Sequence, residues 1–561
     1  MSYALSSGVT GMQAHQQMLD VAGNNLANVN TNAFKASRAN FSELLSQTLS
    51  QASQPTDTVG GTNALQMGSG VGVSSIIADM TQGSIVDTGN ALDMAIDGEG
   101  YFVVSSGEQL LYTRAGAFRV DAGGYLVDSA TGYRVQRIGK TGEAAGFQVS
   151  GNNGIQIPYD VALPASATSE IAFTGNLSSD AVGTETAQVL TSSLSYTVDG
   201  EEATETTELD QLDQFSGGSG TGGQLGAGQT GTITISGYNA DGTEFSSGLT
   251  MTVTGSTTIQ NVIDHLNNNV LTDATASFVD GRIVITDNEA GYSLSDIAMS
   301  YSGSGSLQTP AYFEMTAVGG DEVQTANIAI YDGQGGKHVL SAALVRSNET
   351  NTWDMVLTSV TGNVEEIGID TRRIIGLTFN SKSGAFAGIP DGETAEFTMS
   401  FTHDPGNTQT IALNFGTIGS FNGLTQFAGD STAVAREQDG YASGSLSSVS
   451  VREDGVLVGS FTNGVKKDIA TLALALFRNP SGLESAGSGY FKASANSGTA
   501  VLTQAASMGA GSIQGSALEK SNADIATEFV TLIEAQNGFQ ANARTISVAN
   551  DILRELTNLI R

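Results

Sequence analysis

Seven apolar residues stand seven apart at the C-terminal end of this chain: Leu518, Ile525, Leu532, Phe539, Ile546, Leu553 and Ile560. At the N-terminal end Leu5, Met12, Leu19 and Leu26 repeat the spacing, with Val9 at an offset position. A seven-residue apolar repeat returns to one face of a helix every two turns, so both ends are predicted to form coiled-coil-like helices. The offset partners in the C-terminal run are Asn522, Phe529, Gln536, Ala543, Asn550 and Thr557, of which only Phe529 is large and apolar. As one helix, the 43 residues from Leu518 to Ile560 would reach about 64 Å. Ser521 or Asn522 is a candidate cap, and Asp524 then places negative charge in the first turn, where the helix dipole favours it.

Two outcomes fit such ends. One is an intramolecular helical hairpin that closes a domain. The other is a polymer core, in which the ends become ordered only against sibling chains. The small and polar offset positions make a two-helix seam under-supplied with apolar surface. Val530, Ile533, Val548, Ile552, Leu556 and Leu559 lie off it and require further neighbours. The expectation is therefore a polymer whose isolated monomer has protease-sensitive ends.

Composition separates the ends from the middle. The chain has 561 residues, with 23 Lys and Arg against 57 Asp and Glu. A net charge of −34 excludes broad electrostatic binding to nucleic acid or to an anionic membrane. Residues 1–45 sum to zero and residues 516–561 to −2, which leaves −32 for residues 46–515. Seventy glycines and few charges predict β-rich domains with many turns. There is no cysteine, so disulfides, Cys-based zinc sites and thiol nucleophiles are excluded. The N-terminus lacks a basic segment followed by a continuous apolar run, so no cleaved secretory signal is expected there. No apolar run approaches 18 residues, and no membrane insertion is expected.

Strand-and-turn patterning begins near residue 76. Tyr112–Val127 reads as a hairpin turning at Ala122-Gly123-Gly124, and Ile469–Phe477 as a buried strand. Matching β-rich blocks on both sides of the middle suggest one domain built from two distant segments. Gly217–Gly228 reads as a flexible connection. Ser256 or Thr257 starts a short helix with Ile259, Val262, Ile263 and Leu266 on one face, followed by a hairpin at Asp280-Gly281.

No catalytic, cofactor-binding or metal site is expected. His15, His265, His338 and His403 are far apart in sequence, with no ligand spacing. Gly218–Gly223 fits G-x-G-x-x-G but follows no strand and opens no helix. Acid pairs such as Glu201-Glu202 follow from composition.

The stretch Gly23-Asn24-Asn25-Leu26-Ala27-Asn28-Val29-Asn30-Thr31-Asn32-Ala33-Phe34-Lys35 resembles the N-terminal signature of the bacterial flagellar rod and hook proteins, with Ala33 where that family usually carries Gly. Asn24, Asn25, Ala27, Asn28, Thr31, Phe34 and Lys35 carry the match. Leu92–Phe102 and Tyr112–Phe118 are similar to the next shared blocks. Gly175-Asn176-Leu177, Tyr331-Asp332 with Gly335, and Asp454-Gly455 through Asn463-Gly464 resemble the longer hook proteins. Leu518–Asn522 through Gln536–Asn542 resembles the family C-terminus, and the chain length fits hook rather than rod.

The resemblance implies a mixed, multidomain fold. Its core domain of terminal helices is 1–45 with 516–561, joined through a linker at 46–75 to two or three sandwich- or barrel-like all-β domains nested by insertion. These are an inner domain of 76–164 with 430–515, an outer domain of 165–185 with 320–429, and an additional domain at 186–319. It implies a helical homopolymer: a curved tube outside the cell that acts as a universal joint and passes torque from rod to filament. Implied partners are the distal rod protein, the hook cap, the hook–filament junction protein and the flagellar type III export apparatus. Phe41 and Leu45 match the spacing of an export-gate recognition element, or else form an ordinary apolar helix face. A secreted adhesin or carbohydrate-binding β-protein with a helical stalk is the competing expectation.

Overall fold

The computed structural model describes residues 2–57, 59–107, 109–180, 185–390 and 395–559. Strands dominate these residues, and the α-helices among them are α1 (Ser2–Ala27), α2 (Ile259–His265) and α3 (Ile525–Leu559). The chain forms two compact units. Unit 1 comprises Met1–Leu163 with Gly444–Arg561, and unit 2 comprises Pro164–Ser443.

The main sheet of unit 1 is woven from both of its segments. Strand Tyr101–Ser105 pairs with Leu110–Thr113 on one side and with Leu474–Leu476 from the distant segment, while Tyr490–Lys492 extends the sheet beyond Leu110–Thr113. The apolar run beginning at Ile469 is buried as expected, but it splits into Lys466–Thr471 and Leu474–Leu476. Aromatic edges close this core, with the Tyr112 and Phe477 rings 4.8 Å apart at 82°. The hairpin near residue 123 joins Phe118–Val120 to Leu126–Asp128. Its turn is held by Asp121, whose Oδ1 accepts the amides of Gly123 and Tyr125, both at 2.8 Å, and by Gly124 at φ +79°. Where the segments of unit 1 break off, Leu163 and Gly444 exchange backbone hydrogen bonds of 2.8 and 3.1 Å.

Three expectations for the ends need correction. Residues 1–45 are helical only through Ala27, and Ser37–Glu43 then pairs antiparallel with Val71–Ala78. The segment 46–75 carries strands Gln47–Ser50 and Leu65–Met67, paired with each other. Phe41 therefore lies on a strand, not a helix face, and Leu45 just beyond that strand is 90% exposed. At the other end α3 starts at Ile525, not Leu518. Leu518 sits buried in strand Ala517–Glu519, opposite Val86. Asp524 fixes the start: its Oδ1 accepts the Thr527 amide at 2.7 Å, which satisfies a donor left open in the first turn. Over 35 residues α3 is about 52 Å long.

Unit 2 holds two apolar cores. One gathers Trp353, Phe173, Phe397 and Met355 between a five-stranded sheet and the sheet containing Glu170–Ser178. The other surrounds α2 and buries Ile259, Val262, Ile263 and Leu266, the face expected from sequence. The α2 cap is Thr258, which forms a reciprocal box with Asn261 one residue later than anticipated. The hairpin at Asp280-Gly281 is present, with both residues at positive φ. Gly217–Gly228 is not a connection between domains. Its backbone bonds back on itself at Gly218–Gly223 and Gly220–Gln224, and Leu225 is buried with its amide on Asp210. Unit 2 contains 34 Asp and Glu against 7 Lys and Arg, so most of the chain's charge lies here.

Candidate assembly interface

The two terminal helices lie antiparallel against each other in one chain. Gly8 meets Ile546, Gly11 meets Asn542, His15 meets Gly538, and Asn25 bonds Glu528. The expectation that these segments find partners only in sibling chains is corrected to that extent. The contact does not use the leucine repeat. Gly8, Gly11, Ala14, Ala22 and Asn25 are the buried residues of α1, while Leu5, Met12, Leu19 and Leu26 are half-buried beside them and Val9 is exposed. Small residues win because the helices touch backbone to side-chain base. A Cβ added at Gly11 would stand 2.6 Å from Asn542 Oδ1, and one at Gly8 would stand 2.9 Å from Ile546 Cγ1. On α3 the expected Leu532, Phe539, Ile546 and Leu553 are half-buried, and Ile525 and Phe529 are exposed. Ile560 lies outside the described residues. Val530, Ile533, Val548 and Ile552 also remain about half exposed, so the pair keeps apolar surface that its own chain does not cover.

Below the helix pair, the family-like motif ties the ends together. Asn25 is fully engaged: its side chain donates to Ser37 O (2.8 Å) and Glu528 Oε1 (3.0 Å) and accepts from the Ser37 amide (2.9 Å). Asn28 folds back onto Asn24 and accepts the Thr31 hydroxyl, which closes α1 locally. Asn24, Ala27 and Thr31 stay exposed, and the side-chain bonds of Asn24 and Thr31 are local ones with Asn28. Ala33 then adopts φ +56° while buried, and its amide donates to Glu519 O at 2.9 Å. Half-buried Phe34 offers its carbonyl to the Asn522 amide.

The centre of this knot is a buried ion pair. Lys35 Nζ lies 2.6 Å from Glu519 Oε1 and 2.7 Å from Thr81 O. The Glu519 side chain is 0% exposed and also accepts the Gly83 amide at 2.9 Å, with Arg114 3.5 Å from its other oxygen. Burial pushes the Lys35 ammonium below its ordinary 10.5, while Glu519 pulls it back. Asn522 completes the junction by accepting the Ala36 amide (2.8 Å) and donating to Asp79 O (2.8 Å). Lys35 and Asn25 belong to the motif legible in sequence, whereas Glu519 and Arg114 have no role there, and Asn522, a candidate cap by sequence, joins the two ends here while Asp524 caps α3. All three lie inside blocks quoted for their resemblance, and a buried acid opposite a buried lysine has no local signature.

Four family models match this chain: "Flagella basal body rod protein" over residues 5–35, "Flagellar hook protein FlgE/F/G D1 domain" over 95–178, "Flagellar basal body protein FlaE D2 domain" over 301–441, and "Flagellar basal body rod FlgEFG protein C-terminal" over 514–559. Among curated proteins, the flagellar hook protein FlgE of Treponema pallidum is 33% identical over 570 residues and that of Borreliella burgdorferi 31% over 563, each alignment covering 100% of both chains. The flagellar basal-body rod protein FlgG of Bacillus subtilis is 46% identical over 132 residues, 24% of this chain and 50% of that protein. Likeness along the whole length, on a scaffold whose signature residues knot its two ends together, shows that the chain belongs to the flagellar hook protein family.

Proposed function

We propose that this chain is the structural subunit of a bacterial flagellar hook, polymerising with itself into a curved tube that passes torque from rod to filament. The observation that carries the reading is the uncovered apolar surface of the terminal helix pair: Ile525, Phe529, Val530, Ile533, Val548 and Ile552 are each about half exposed on a single helix. Apolar patches of that kind mark association sites. Sibling helices packed on them form a coiled-coil-like core, and the β-rich parts lie outside it as nested inner, outer and additional domains. The acidity of unit 2 keeps that exterior soluble. No helix among the described residues is long and apolar enough to cross a membrane. The subunit acts outside the cell, delivered by the flagellar type III apparatus, with Phe41 and Leu45 as its export-gate element. Distal rod protein, hook cap and hook–filament junction protein are its other partners. The relatives named above carry hook or rod descriptions, and none is an adhesin.

Electron microscopy of the purified protein after salting out tests this. Curved tubes of uniform diameter are expected. Amorphous precipitate from the intact chain, alongside tubes from a variant with Val530 and Ile533 both changed to Asp, would overturn it.

A further inference from the structure

In unit 2, three turns meet around His338. Asp332 opens the turn between strands Val323–Tyr331 and Lys337–Arg346, where its Oδ1 accepts the amides of Gln334 (2.9 Å) and Gly336 (2.8 Å). His338 Nε2 lies 3.0 Å from Asp332 Oδ2, and its Nδ1 lies 2.7 Å from the carbonyl oxygen of Thr361 in the second turn. Gly362, at φ +102°, lets the backbone press on the ring, since a Cβ there would overlap Nδ1. Phe401, which ends strand Glu396–Phe401 just before the third turn, stacks on the imidazole with centroids 4.3 Å apart at 28°. His403, two residues later, stacks on Phe401 at 5.9 Å and brings its Nε2 to 3.8 Å from the same Asp332 oxygen.

Proton counting decides what this cluster is. A carbonyl oxygen only accepts. Burial alone would raise the Asp332 carboxyl, but bonds from His338 and the Gly336 and Gln334 amides, with the His403 charge, hold it below its ordinary 3.8, so it too only accepts. A neutral imidazole has one N–H for these two acceptors, whereas an imidazolium has two. We propose that His338 is a proton-held latch: doubly protonated, it fastens the three turns, and losing the proton as pH rises sets a lone pair against Asp332 or Thr361 and loosens them. The charged groups facing the ring are Asp332 from the first turn and His403 from the third. Lys337, next to it on its own strand, points to the opposite side and is exposed. The latch is independent of the hook reading.

The test is hydrogen exchange of the intact chain between about pH 5 and 8, the range over which histidine changes charge, corrected for intrinsic exchange rates. Protection of the Gln334 and Gly336 amides should fall about tenfold or more as pH rises, the scale of one charge-assisted bond. In Asp332→Asn the fall should vanish, because the amide can donate to a neutral ring; in His403→Gln it should persist. Equal pH dependence in Asp332→Asn and the unaltered chain overturns the proposal. Should Asp332→Asn not fold, the His338 ring-nitrogen signals of the unaltered chain decide. Two N–H groups near pH 5 support the latch, and a single one refutes it.

Discussion

Glycine in a helix normally lowers stability, so replacing it by alanine should help unless the space is taken. Gly11 and Gly23 make that comparison inside one helix. Nothing lies within 4 Å of a Cβ built at Gly23, whereas one at Gly11 falls 2.6–2.9 Å from three atoms of the Asn542 amide. That amide cannot swing away freely, because its Nδ2 donates to Gly538 O at 2.8 Å. Gly23→Ala should therefore gain the full helix preference, about 0.8–1.0 kcal/mol. Gly11→Ala gains the same preference and loses about 1–3 kcal/mol to overpacking. The two variants should differ by about 1–3 kcal/mol, with Gly23→Ala the more stable. Hydrogen exchange of α1 amides in dilute monomer reads this as a roughly 5- to 150-fold difference in protection. Equal stabilisation by both substitutions would refute the close antiparallel seam and return α1 to the state expected from the leucine repeat, without a partner in its own chain.

Other outcomes follow from the knot and the helix surface. Ala33→Gly should raise the melting temperature, because relief of a left-handed residue is worth about 1–2 kcal/mol against a glycine entropy cost of about 0.5–1 kcal/mol. Glu519→Gln should cost about 3–5 kcal/mol in denaturant unfolding by stranding Lys35. Since Lys35 already titrates below 10.5, that loss should shrink as pH rises towards this value and the ammonium sheds its proton. Leu532→Asp, on the half-buried face, should weaken the monomer and abolish sedimentable polymer; Ile533→Asp, on the exposed face, should abolish polymer while leaving the melting profile unchanged. Acidification should fray the start of α3. Backbone and side-chain bonds from Thr527 hold the Asp524 carboxyl below its ordinary 3.8, so its support is present above that value and fades below it. Asp524→Asn should remove the pH dependence of Thr527 amide exchange.

Local patterns survived the passage from sequence to structure better than partnerships did. The Asp121–Tyr125 turn, the apolar face of α2 and the buried run after Ile469 rest on neighbours in sequence, and each is present. The leucine repeat misled because spacing identifies a face but not what covers it. Leu518 satisfies the same period from a strand, and glycines outcompete leucines where two backbones approach. Gly217–Gly228 looked flexible by composition, yet backbone carbonyls and the Asp210 carboxylate order it. Lys35 with Glu519 joins residues 484 positions apart, and His338 on a strand and His403 in a distant turn converge on Asp332. No periodicity reports such pairs.

The mutual bonds of Leu163 and Gly444 carry an evolutionary corollary. The chain leaves and re-enters unit 1 at adjoining points, so the intervening stretch is an insertion between two neighbouring positions of that unit. An insertion joined at paired neighbours can change length without moving the ends it joins, so variation in overall size among kindred chains should concentrate between those two residues.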